Sequence, residues 1–539
     1  MKKKLVNLVP IFAVILLALF LRVYKLGDIP PSINWDEAAV GYNAFSIANF
    51  GRDEWGNVFP LVFKSFEDYK HPVHIYITSL FVKFLGLSDF SIRLPAAVFG
   101  VFNVVVIYLL VSKISKSRLF GFLASLFLAV SPYNLQFSRF NHELNFTVFF
   151  FMLGIYLFYL GLEKKNFLLP LSFASFGISL FSYHSAKIVV PLTVFLLLVL
   201  YTKRLLAVRK FFLISLFVLA VFVSVIILNP NLLGTARIKQ TSFSESEIQS
   251  TALYQKTGRS LLGFIEIVAT QYKLHFRPKY LFISGDGNTR HSTQVVGEFY
   301  KFDAPFLAIG TLATIWLIVV KRSKEAFLLA FWALIAPLPA AAVNEAPHSA
   351  RAMFMTGSWH IIAALGLYCL LFIFGKRFMK VVILTFSLIA LGYFVKPYLE
   401  NYYQNYAQEY AIEWQYGMAD IVDYISENPD YVRIYMTDER HQPYIFFLYY
   451  LKYPEPLFFE AVRYNERISK SYNLVLTFDK YQFGGWDPIE SKPLEGVLYV
   501  VTPSQYNGLR HKASFDTVKS IYYPDGSEAF HLVTAKKNE

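Results

Sequence analysis

About eleven long runs of apolar side chains, joined by short basic or longer acidic connections, leave this chain few folds to choose from. The first covers residues 6–26 and follows Met1-Lys2-Lys3-Lys4 without a small-residue cleavage site, so it reads as a retained span. The others lie near residues 94–112, 119–137, 145–162, 167–183, 188–201, 211–229, 304–320, 326–343, 353–373 and 381–396. Stretches of this kind are what a hydrocarbon core of roughly 30 Å selects. Of 539 residues 55% are hydrophobic and only 17% charged, too apolar for an ordinary soluble domain. The expectation is a multi-pass α-helical membrane protein.

A formal charge of +13 invites a nucleic-acid reading, but the Lys and Arg residues fall in short clusters between apolar runs. That is how cytoplasmic loops of membrane proteins look, and no nucleic-acid partner is expected. The single cysteine, Cys369, excludes an intrachain disulfide and a multi-cysteine metal site.

With the N-terminus in the cytoplasm, alternation of the spans puts Lys113, Lys116 and Arg118, then Lys164 and Lys165, then the clusters at 203–210, 321–324 and 376–380, all on the inner face. The apolar run 73–86 breaks the pattern if it is counted, because 14 helical residues reach only about 21 Å. Its His74 and Thr78 lie four apart on one face, which predicts a helix lying in the interface; a short tilted span is the alternative. Three long pieces then face outward: 27–92, 230–303 and everything after about 397. The predicted division is a transmembrane domain, 1–396, carrying the first two of these as outer loops, and an extracytoplasmic α/β domain, 397–539. In the latter, 432–437, 473–478 and 496–501 read as buried strands and Tyr523-Pro524-Asp525-Gly526 as a hairpin turn. The polar stretch 240–250 has low complexity and reads as mobile.

Most of the clustered acid and histidine falls on the predicted outer face. Asn34-Trp35-Asp36-Glu37 follows the first span: Asn34 caps a helix whose first turn holds both acids, with Glu37 at the capping-box position. Capping alone explains the pattern, and the same geometry suits a base or a metal ligand. A second patch, Glu67-Asp68-Tyr69-Lys70-His71-Pro72, ends the first outer loop, with Pro72 opening a helix. Glu143 stands at the outer end of a span, where an acid is expensive to keep unless it has a role or is solvated at the interface. Arg93, Arg139, Arg290 and Arg351 run against the rule that sorts positive charge inward; they grip an anionic head group or pair with nearby carboxylates. His71, His184, His291 and His348 show no local metal-binding spacing, so a metal site has to be assembled from separate loops. Ser284-Gly285-Asp286-Gly287-Asn288 is a turn able to present backbone donors. Carboxylates and guanidinium groups together suit transfer of a sugar from a lipid phosphate: one accepts a proton from the attacking hydroxyl, the others stabilise the leaving phosphate.

The order of these motifs resembles the membrane-embedded C-type glycosyltransferases (the GT-C fold), in the branch holding protein O-mannosyltransferases and lipid A aminoarabinose transferases. The likeness rests on Asp36-Glu37 after the first span, Tyr69-Lys70-His71-Pro72 before an interfacial helix, Arg93-Leu94-Pro95-Ala96 opening the second span, and Glu143, and it covers roughly residues 1–390. It implies a catalytic acid at Asp36 with Glu37 beside it, a second functional acid at Glu143, and a polyprenyl-phosphate sugar donor. The acceptor is a protein, lipid or glycan on the outer side, and inversion at the anomeric carbon is the expected course. Arg93, Arg290 and Arg351 are the expected phosphate ligands. Some relatives also hold a divalent metal ion, for which Asp68, His291 and His348 are the nearest matches. In this chain His71-Pro72 replaces the double proline of the family and the acid is offset. A lipid-linked sugar flippase is the rival reading, although no midplane ionisable residues or paired broken helices mark one.

Overall fold

The computed structural model describes residues 9–66, 68–163, 165–374, 376–465, 474–484 and 493–536; Glu67, Lys164 and the start of the strand expected at 473 fall outside them. The chain folds into two compact units, one of residues 1–24 and 96–402, the other of 25–95 and 403–539.

In the first unit the apolar runs become helices. Across the described residues seven helices are long and apolar enough to cross a membrane: Asp89–Ser115, Leu144–Gly161, Ala186–Ala207, Arg209–Leu228, Lys324–Ala341, Met355–Ile373 and Arg377–Glu409. Val9–Val23, Arg118–Val130, Leu168–Leu180 and Asp303–Val319 are shorter apolar helices at the remaining expected runs. Helices Asp303–Val319 and Met355–Ile373 touch backbone to backbone. A Cβ added at Gly310 would fall 1.8 Å from the Ile362 carbonyl oxygen and one at Gly366 2.0 Å from that of Phe306, the small-residue contact that packs helices in lipid.

A polar knot ties several of these helices together. Asn145 Nδ2 donates to Ser138 Oγ at 2.9 Å, while its Oδ1 accepts from Asn134 Nδ2 at 2.8 Å and Asn103 Nδ2 at 3.1 Å. Arg22 reaches in from the first helix, 2.6 Å from Asn134 Oδ1. In an apolar surround each amide is costly unless satisfied, so the network fixes one arrangement of the helices. It also anchors the segment leading to Glu143. The polar stretch 240–250 includes the end of helix Thr235–Thr241 and helix Glu245–Gln249, the latter opened by a capping box between Ser244 and Glu247.

The second unit joins residues 25–95, which hold the stretch expected as the first outer loop, to the C-terminal segment. Its seven-stranded sheet runs Arg463–Tyr464, Val475–Phe478, Tyr481–Gly484, Arg433–Thr437, Val497–Val501, Glu528–Ala535, Phe515–Tyr522. The central strand Arg433–Thr437 is parallel to both neighbours and the other pairings are antiparallel. The hairpin turn forms where Pro524-Asp525-Gly526 predicts it, with Gly526 at φ +87°. Helices Trp35–Phe50 and Pro72–Leu85 share a core with this sheet and helix Pro443–Tyr450: Ile33, Tyr42 and Ile75 are packed with Met436, Phe447 and Phe483. The sequence division keeps the first outer loop with the spans, whereas here that loop and the C-terminal segment bury their apolar faces in one another. Helix Pro72–Leu85 turns His74 and Thr78 inward, at 1% and 0% exposure, and leaves Leu80, Phe84 and Leu85 exposed. Its polar face is the protein-facing one, and an outward apolar face is what an interfacial helix offers to lipid.

Candidate active site and metal centre

Each unit carries one cluster of functional groups. In the second unit Asn34 adopts an extended conformation and its Oδ1 accepts from the backbone N–H groups of Asp36 and Glu37, at 2.8 and 3.1 Å. That cap starts helix Trp35–Phe50 and sets two adjacent carboxylates in its first turn, facing different surroundings. Glu37 is fully buried, with Arg93 Nε 3.0 Å from Oε1 and Arg93 Nη2 3.1 Å from Oε2. Arg93 also donates to the carbonyls of Leu26, Pro30 and Ser32. Its five N–H donors thus meet five protein acceptors, so this guanidinium, expected at the donor phosphate, is committed to holding residues 26–37 in place.

Asp36 differs. Its side chain is 46% exposed, and Lys70 Nζ, from strand Asp68–Lys70, lies 2.5 Å from Oδ1. Antiparallel pairing of that strand with Phe63–Ser65 brings Lys70 back to the helix start. Asp68 opens the same strand, its Oδ1 accepting from the Tyr69 N–H at 2.8 Å. The arrangement offers one accessible carboxylate, oriented by a cap and a cation, beside one that is purely internal.

In the first unit His291 and His348 come together with Asp286. Asp286 Oδ2 lies 3.0 Å from His291 Nδ1 and 4.0 Å from His348 Nδ1, and the potential ligand atoms of the three residues all lie within 4.8 Å of one another. The carboxylate gathered with the two histidines is therefore Asp286, from the turn 284–288, whereas Asp68 belongs to the second unit. Ser349 N donates to Asp286 Oδ2 at 2.7 Å and Asn288 N to Oδ1 at 2.9 Å, which orients the carboxylate. Burial pushes this carboxyl upward, but the His291 imidazole, with the Asn288 N–H, more than offsets it and holds the group below the usual carboxylate range. Burial also drives His348 well below its ordinary value, so it is neutral, the form that ligates metal. Behind them, burial pushes Glu298 up to about 8, and its Oε1 accepts from Asp286 N at 3.0 Å and Ser349 Oγ at 2.5 Å. Two imidazoles and a carboxylate, the carboxylate steadied by the Asn288 and Ser349 N–H groups, are a donor set that suits a divalent transition metal.

Glu143 precedes helix Leu144–Gly161, with its Oε2 3.6 Å from His142 Nδ1. His142 in turn lies 6.3 Å, ring to ring, from His291. Arg351 is largely buried and donates to the Asn344 carbonyl at 2.5 Å and Glu345 Oε2 at 3.1 Å. Arg290 neighbours His291 in the chain, and its carbonyl accepts from Gln136 Nε2 at 2.9 Å. Glu143, Arg290, Arg351 and the two histidines thus all belong to the first unit, and Asp36, Glu37, Arg93 and Asp68 to the second. No local sequence signal marks Glu298, and in the sequence Asp286 stands out only as part of its turn.

This is the fold of the membrane-embedded C-type glycosyltransferases. The structure superposes on ArnT from Cupriavidus metallidurans bound to undecaprenyl phosphate with a TM-score of 0.54, at 13% identity, covering 97% of each chain. It superposes on the apo oligosaccharyltransferase of Archaeoglobus fulgidus with a TM-score of 0.52, at 14% identity, over 97% of this chain and 74% of that one. The same oligosaccharyltransferase in complex with Zn and sulfate gives a TM-score of 0.50 at 14% identity, over 96% and 72%. In sequence, the dolichyl-phosphate-mannose-protein mannosyltransferase family matches residues 69–228. An uncharacterized protein of Aquifex aeolicus (strain VF5) is 32% identical over 146 residues, which span 26% of this chain and 29% of that protein.

Proposed function

We propose that this chain is a glycosyltransferase that moves a sugar from a polyprenyl-phosphate carrier to an acceptor on the extracytoplasmic side of the membrane, with inversion at the anomeric carbon. The observation that carries the reading is the division of labour between neighbouring acids, in a fold whose likeness includes an enzyme bound to undecaprenyl phosphate: Glu37 is internal, and Asp36 is accessible and held by Lys70. Asp36 accepts the proton of the acceptor hydroxyl as that oxygen attacks the anomeric carbon. The bond from that carbon to the phosphate oxygen breaks, and the lipid phosphate leaves with the electron pair. Phosphate leaves as a stable anion, so no acid need protonate it; cations suffice, and Arg290 and Arg351 are the residues we assign to that task. Glu143 orients the reacting groups. Arg93 acts through Glu37, keeping the acid-bearing turn in register.

Asp286, His291 and His348 would hold a divalent metal ion, which supplies positive charge toward a phosphate when bound. The polar acceptor is a protein, lipid or glycan presented from outside, and the N-terminus lies in the cytoplasm. The test is to incubate purified protein with polyprenyl-phosphate sugar and candidate acceptors and to read the anomeric configuration of the product by NMR. Inverted product with release of lipid phosphate supports the proposal. Transfer of the intact lipid between leaflets without cleavage would make the protein a flippase instead.

A further inference from the structure

The helices of the first unit enclose an apolar cavity of about 380 Å3, whose wall includes Leu110, Phe120, Ile155, Leu328, Ile361 and Leu365. Its volume falls within the roughly 300–1,000 Å3 of pockets that take up a ligand or part of one. The cavity lies far along the bundle from the Asp286 cluster. Helix Leu144–Gly161 begins beside Glu143 and helix Met355–Ile373 shortly after Arg351. Two of the residues that line the cavity, Ile155 and Tyr368, stand about 16 and 20 Å further along those helices at the α-helical rise. Ser115, the last residue of Asp89–Ser115, and Ser323, which caps the helix starting at Lys324, line it too and mark the end at which it sits.

Cations gather at that end. Lys321 Nζ lies over the ring of Trp316, 5.1 Å from its centroid, and Trp316 lines the cavity. Tyr368 packs on Phe372 with ring centroids 4.6 Å apart, and Lys380 Nζ lies 4.1 Å from the centroid of Phe372. Arg118, exposed, opens the helix that carries Phe120. The one carboxylate in the wall, Glu325, is engaged within the protein: Oε1 accepts from the Tyr201 hydroxyl at 2.8 Å and Oε2 from Ser323 Oγ at 3.0 Å. Lys113, nearby, pairs with Glu163 at 2.5 Å.

We propose that this cavity takes one acyl chain of an anionic phospholipid, whose phosphate is held at the rim by Lys321, Lys380 and Arg118. An apolar hollow between spans with basic residues at its mouth is an arrangement that retains anionic lipid. Lysines whose stems lie on aromatic rings keep their ammonium groups at the level of the head groups. The phosphate of such a lipid sits at the opposite end of these helices from Arg351, so this is not the donor-phosphate site proposed above. The inference requires the bundle to be embedded in a membrane and stands independently of the glycosyl-transfer reading.

Cys369, the single cysteine of the chain, lines the cavity and is half-buried, so its thiol reports occupancy. The experiment follows alkylation of full-length protein in detergent by N-ethylmaleimide, read by intact-protein mass spectrometry while phospholipid is titrated in. Phosphatidylglycerol is expected to slow alkylation about tenfold at saturating lipid, and phosphatidylcholine to leave it unchanged. Lys321→Gln combined with Lys380→Gln should abolish the difference between the two lipids, and Leu365→Trp, which fills the hollow, should remove the response to either. Asp36→Asn leaves the protection as it is, which separates this site from the transfer reaction. If Leu365→Trp does not fold, the lysine pair carries the test. Equal protection by phosphatidylcholine, or protection by neither lipid, overturns the site. So does stronger protection by undecaprenyl phosphate than by phosphatidylglycerol, in which case the hollow takes a polyprenyl tail instead.

Discussion

Glu37 and Arg93 grip each other through two parallel contacts of 3.0 and 3.1 Å, with neither side chain exposed to solvent. Removing one member strands the other as a buried charge. Arg93→Met or Glu37→Gln is therefore expected to destabilise the protein by about 3–5 kcal/mol. Arg93→Lys should recover little, because an ammonium cannot reproduce the fork that also holds the carbonyls of Leu26, Pro30 and Ser32. Thermal unfolding of the two single variants and the double variant checks this, and a double variant no worse than either single one is the signature of the pair.

The Asp286, His291 and His348 cluster predicts one bound transition-metal ion per chain in protein purified without chelator, read by elemental mass spectrometry. His291→Ala, His348→Ala and Asp286→Asn should each lower metal occupancy at least tenfold. Asp68→Asn is the informative control. Retained metal assigns the carboxylate ligand to Asp286, and lost metal assigns it to Asp68.

His184 gives a pH dependence with a definite sign. Burial, then the neighbouring Lys187, lowers it to about 3, and its Nδ1 accepts from Lys187 Nζ at 3.3 Å. The folded protein thus keeps His184 neutral while the unfolded chain takes up a proton near pH 6.5. Its contribution is complete above that pH and is lost as pH falls toward 3, with a slope approaching about 1.4 kcal/mol per unit. His184→Asn should flatten that limb of the stability profile measured by chemical denaturation.

Much of this architecture is legible in the chain because lipid imposes its own length scale. The apolar runs form helices at the expected places, and the Asn34 cap and the Pro524-Asp525-Gly526 turn follow from local chemistry. What escaped depends on partners distant in sequence. Arg93 reads as a phosphate ligand until Glu37, 56 residues away, is seen to occupy it. Nothing near Asn145 announces that Asn103, Asn134 and Arg22 converge with it, and periodicity around Tyr42 and Ile75 cannot say that Met436 and Phe447 complete their core. A hydrophobic face declares that it is buried, and stays silent on what buries it.

The role of Asp36 is decided by the turnover of a radiolabelled polyprenyl-phosphate sugar by parent protein and by Asp36→Asn, both in proteoliposomes and both checked for an unchanged unfolding temperature. Loss of a general base predicts a fall of about 10²–10⁴-fold in released lipid phosphate with folding intact. Asp36→Asn protein that cleaves the donor at the parental rate would contradict the account.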